Sequence, residues 1–79
     1  MPIKYTKNTA RFIDTVGVED AEGLLEWLQR QQKPKVNFSA CSHLHAANLQ
    51  VLMAAKPVVA AWPEDAEFAA WLRGALGRN

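Results

Sequence analysis

The chain has 79 residues and a mass of 8.8 kDa, with 49% hydrophobic and 22% charged residues. One small domain spanning 1–79 accounts for it: such a chain hides only about 60% of its unfolded surface on folding, and the composition is globular, not disordered, collagenous or coiled-coil. Nine Lys and Arg against eight Asp and Glu leave a net charge of +1, which gives no electrostatic case for a nucleic-acid or membrane partner.

Residues 3–6 and 9–13 are short and rich in β-favouring types, with Lys7-Asn8 between them. Asn tolerates the positive φ of tight hairpins, so a small hairpin is predicted. After Gly17, Glu19-Asp20-Ala21-Glu22 opens a helix, its acids suited to the positive end of the helix dipole. Ala21, Leu24, Leu25 and Leu28 recur at i, i+3, i+4 and i+7 and form its predicted inner face. Pro34 stops it.

Lys35-Val36-Asn37-Phe38 reads as a short strand, and Leu44 to Ala55 as a second helix with Ser42 as its N-cap. Val58 to Ala61 is a short apolar run of the kind found in buried strands. Pro63-Glu64-Asp65 opens a last helix, with Phe68, Trp71, Leu72 and Ala75 inward and Gly77 as terminator. Trp71 and Trp62 are expected to be structural, and the helix edge leaves Trp27 open. The order β-β-α-β-α-β-α predicts an α/β fold: a mixed sheet of about four strands with three helices packed on it.

The second helix stands apart because no charged residue occurs between Leu44 and Ala55. At about 100° per residue, Leu44, Asn48, Val51, Leu52 and Ala55 face inward, with His45 and Leu49 on one flank. Ala46, Ala47, Gln50, Met53 and Ala54 face outward, where a surface helix normally carries charge. Small side chains and an adaptable thioether there suit contact with another protein. Ala is also the best helix former, and composition alone leaves that plainer reading standing.

The stretch Val36-Asn37-Phe38-Ser39-Ala40-Cys41-Ser42-His43-Leu44-His45-Ala46-Ala47-Asn48-Leu49-Gln50-Val51-Leu52 resembles the central segment of STAS domains, the sulphate-transporter and anti-sigma-factor-antagonist family. Asn37-Phe38-Ser39 matches that family's Asp-Leu-Ser-like turn, and Leu49-Gln50-Val51-Leu52 its Leu-x-x-Leu helix. The layout agrees over roughly residues 9–76. The resemblance implies a compact STAS-like domain and a non-enzymatic protein-interaction module, like an anti-sigma factor antagonist, in cytoplasmic bacterial regulation or signalling.

The departures remove the family's switch. His45 stands in place of Asp, Ala46 in place of the phosphoacceptor serine, Ala47 in place of Ser or Thr, and Asn48 in place of Gly. Phosphate on that serine would add about two negative charges and break a contact; Ala46 has no hydroxyl to carry it. The expected partner-binding residues are Ser42, His43, Ala46, Ala47, Gln50 and Met53, and the expected partner is a regulatory or signalling protein. A homodimer closing over the uncharged helix face is another reading.

Cys41, His43 and His45 alternate and form the one cluster of potential metal ligands. Sulfur with two imidazoles suits zinc or copper, but no fourth ligand stands out, and neither metal nor cofactor is expected. Cys41 near a helix start with His alongside has the ingredients of a nucleophile. No oxyanion or substrate motif accompanies it, so a structural Cys and no enzymatic activity are expected. The loop before the second helix offers N–H groups to an anion, which makes a small ligand-, nucleotide- or metal-binding domain the alternative. Lys4, Lys7 and Arg11 read as a solvated edge. A single cysteine, no run near the roughly 18 apolar residues of a membrane span, and an N-terminus without a signal-peptide stretch favour mature protein in the reducing cytoplasm.

Overall fold

The computed structural model describes residues 2–76. Its elements are β1 (Ile3–Tyr5), β2 (Thr9–Val16), a short 3-10 helix (Val18–Asp20), α1 (Ala21–Arg30), β3 (Lys35–Leu44), α2 (Ala46–Ala55), β4 (Val58–Ala61) and α3 (Ala66–Leu76). The fold is α/β in the predicted order, with one four-stranded mixed sheet in spatial order β1-β2-β3-β4. β1 pairs antiparallel with β2, whereas β2, β3 and β4 run parallel. The first pair closes through a tight turn in which the Thr6 N–H donates to the Thr9 carbonyl at 2.8 Å. Each parallel step needs a crossover, and α1 and α2 supply them.

One face of the sheet carries the core. Ile3 pairs with Phe12, Ala10 with Val36, and these side chains are buried under the helices. On the other face Lys4 stands opposite Arg11, Arg11 opposite Asn37, and Lys35 opposite Val58. Lys4, Arg11, Lys35 and Val58 are all exposed, so this face is left to solvent. Phe12 and Phe38 centre the core, their rings 4.9 Å apart, with Leu24, Leu52 and Leu72 reaching down from the three helices.

β3 is the main departure from the sequence reading. It runs on through Cys41-Ser42-His43-Leu44, six residues past the predicted strand, and contains two bulges. Asn37 pairs with Arg11 but Ala40 with Ile13; Cys41 pairs with Asp14 but His43 with Thr15. Each bulge adds one residue and flips the side-chain parity. The buried positions therefore fall at Val36, Phe38, Cys41 and Leu44. The last three are spaced by three, which imitates a helical stripe. Asn37 holds the first bulge: the Ser39 N–H and hydroxyl both donate to its Oδ1, at 2.8 and 2.7 Å. Opposite, Asp14 takes the left-handed conformation at φ 55°, which Asp tolerates better than most residues.

Ser42 is therefore not an N-cap. It is the extra residue of the second bulge, between the paired Cys41 and His43, and the cap is His45. Three further placements differ. On α1, Leu25 is exposed and Trp27 is buried, where Tyr5 packs on it with ring centroids 5.2 Å apart. On α2, Ala55 is exposed and Leu49 buried. On α3, Trp71 is 49% exposed, not core. The predicted terminator Gly77 lies outside the described residues. Among the described residues no helix is long and apolar enough to cross a membrane.

Candidate functional site: a cleft where β3 enters α2

β3 passes into α2 through one residue, His45, so the loop predicted before the helix does not exist as a loop. The His45 N–H donates to the Val16 carbonyl at 3.0 Å, extending the ladder to the last possible residue. Its side chain then turns to the helix, and the Ala47 N–H donates to Nδ1 at 3.0 Å. The Asn48 and Leu49 N–H groups donate to the His45 carbonyl at 3.0 and 3.2 Å. The first turn of α2 thus spends most of its free donors on His45, and little is left to cradle a phosphate.

Next to this junction lies a cleft of about 460 Å³, lined by His43, Leu44, His45, Ala46, Phe68 and Trp71. The volume is in the range of small-ligand and side-chain pockets. It opens beyond the carboxyl end of a parallel strand, the usual place for a site in an open α/β sheet. α2 and α3 form its walls. The Phe68 and Trp71 rings lie 6.0 Å apart with 29° between their planes, an offset stack that leaves Trp71 half-exposed. Asp65 fixes Phe68 from below, where its Oδ1 accepts the Phe68 N–H at 3.0 Å.

The structure distributes the predicted partner-binding residues over two elements. Ser42 and His43 are exposed near the end of β3, and His43 lines the cleft. Ala46, Gln50 and Met53, at i, i+4 and i+7, form an exposed stripe along α2 that starts at the cleft mouth. Ala47 is half-buried beside it. His45, Phe68 and Trp71 belong to the site but not to that set. The amphipathic pattern of α3 contains no signal that would have drawn Trp71 outward.

Cys41 does not join His43 and His45. It is buried, its thiol donating to the His43 carbonyl at 3.4 Å, while both imidazoles are exposed. No group of three His, Cys, Asp or Glu among the described residues is arranged to hold a metal ion. Burial, opposed by a hydrogen bond with the His43 backbone and reinforced by the Asp14 carboxylate, pushes the Cys41 thiol up from its ordinary value. A thiol kept protonated in this way is a poor nucleophile.

The comparisons place nothing beside this arrangement: no family model, curated protein or solved structure matches the chain.

Proposed function

We propose that this protein is a non-enzymatic interaction module that docks a segment of a regulatory or signalling protein, in the manner of an anti-sigma factor antagonist and in the bacterial cytoplasm. The occupant is a segment of a foreign protein, lying along Ala46, Gln50 and Met53 with an apolar anchor side chain in the cleft. One observation carries the reading. The uncharged stripe of α2 is uncovered and runs directly into an aromatic-walled cleft. An isolated exposed Met or Trp needs no explanation, whereas a contiguous apolar surface with a pocket at one end matches the anatomy of an interface core. Ala46 supports docking by shape, without release by serine phosphorylation at that position.

The test is affinity capture on immobilised full chain, comparing wild type with Ala46→Glu and Gln50→Glu. Both variants fold, as circular dichroism would report, because both positions are exposed. Wild type retains specific proteins and the variants lose them. Equal retention by all three sinks the proposed surface. A tight dimer of the wild type in sedimentation, broken by Ala46→Glu, assigns the same surface to a second copy instead.

A further inference from the structure

We propose that the segment entering the cleft is cationic: an apolar anchor flanked by lysines or arginines. This rests on the docking reading above and specifies the partner's chemistry. The cleft is the site, and the charges around it decide what enters. Parallel β2, β3 and β4 all point their carboxyl ends the same way, and the turns after β2 and β4, on either side of the end of β3, carry acids. After β2 come Glu19 and Asp20; after β4 come Glu64 and Asp65, and Glu67 follows in the first turn of α3. Between them, after β3, stands only His45. Glu67 is the sequence neighbour of Phe68, and Asp65 is bonded to its N–H.

The lysines lie at the other end of the sheet. Lys7 precedes β2, Lys33 precedes β3, Lys35 begins it, and Lys56 precedes β4. A net charge of +1 conceals this separation, because the two ends cancel in the sum. Against the five acids, the cleft end of the sheet carries Arg73 of α3, its guanidinium 5.1 Å from the centre of the Trp62 ring that follows β4, so the charges named there sum to negative. That balance attracts cations and turns an approaching basic segment toward the aromatic pair. The half-exposed Trp71 face adds to this, since an indole face attracts Lys and Arg.

The experiment uses the full chain and a synthetic amphipathic peptide of repeated Leu-Lys-Lys-Leu units, with a twin in which every Lys is Glu. Titrations are followed by amide chemical shifts at low and at physiological salt. The Lys peptide is expected to shift His45, Ala46, Phe68 and Trp71, and to bind about tenfold more weakly once salt shortens the screening length from about 30 to about 8 Å. Trp71→Ala, and the combined Glu64→Gln, Asp65→Asn and Glu67→Gln variant, should each lose about tenfold in affinity; Asn at 65 keeps the cap. Glu26→Gln, an exposed acid on α1 away from the cleft, should change nothing.

Equal binding of the Glu peptide, or Lys-peptide shifts elsewhere, overturns the cationic assignment. If no peptide binds while Ala46-dependent capture persists, the inference fails and the docking reading survives; if capture is lost too, both fail. Salt-sensitive association of the chain with itself, abolished by Lys35→Glu, would make the cationic occupant a second copy and overturn the foreign partner.

Discussion

The Asn48 side-chain amide donates to the Gly17 carbonyl at 2.7 Å, a bond between residues thirty-one positions apart that ties the first turn of α2 to the end of β2. Asn48 is fully buried, and its Oδ1 has no hydrogen-bond partner among the described residues. A buried acceptor without a partner is costly, and the bond made by Nδ2 offsets that cost.

Asn48→Ala removes the donor and leaves the Gly17 carbonyl without this bond beneath the helix. The expected loss is about 1–3 kcal/mol. Urea denaturation checks it: a shift in midpoint with unchanged slope is the expected form. A loss well under that range would mean that the Asp20 N–H, which also donates to the Gly17 carbonyl at 3.1 Å, satisfies it alone.

His45 is an N-cap through its ring, a role usually filled by Ser, Thr, Asp or Asn. His45→Ala should cost about 1 kcal/mol, and His45→Asn should recover most of it. Thermal unfolding of the three proteins tests the order. If His45→Asn is no better than Ala, the Nδ1 bond contributes nothing and the ladder bond from its N–H carries the junction.

Cys41 predicts an alkaline limit. Its folded thiol titrates above the ordinary value, mainly through burial, so the folded state holds its proton more tightly than the unfolded chain. The resulting stability is complete below the unfolded thiol pKa, about 8.5, and is lost as pH rises through the folded value. Tyr5, also raised by burial and by Asp20, adds a loss of the same sign at higher pH. Stability from urea titrations should fall above about pH 8.5 in wild type and less steeply in Cys41→Ala. Alkylation of the native thiol at neutral pH should be slower than that of the unfolded chain. A native rate matching the unfolded one would contradict the burial argument.

The legible parts of the sequence were those where one periodicity applies. Leu24 and Leu28 on α1, and Phe68 with Leu72 on α3, follow the helical spacing, and the breakers Pro34 and Pro57 fall between elements. The junction was illegible because two bulges put the buried positions at Phe38, Cys41 and Leu44, so no alternation marks the strand as continuing past Phe38. The wheel left Trp27 open and turned Trp71 inward for a related reason. A helical wheel ranks positions by angle, but Tyr5 on β1 draws Trp27 inward, while the cleft between α2 and α3 leaves Trp71 half-uncovered. Of the cleft, only the contributions of β3 and α2 were visible in advance.

The sequence alone determined the element order, the α/β class and the uncharged flank of α2, because these follow from local spacing and residue type. The tertiary structure decided where β3 stops, that His45 and not Ser42 opens α2, and that the acids after β2 and β4 fall at one end of the sheet while the lysines before the parallel strands fall at the other. Those outcomes depend on strand pairing and parallel direction, which bring residues far apart in the chain to one end of the sheet, and no local pattern records them.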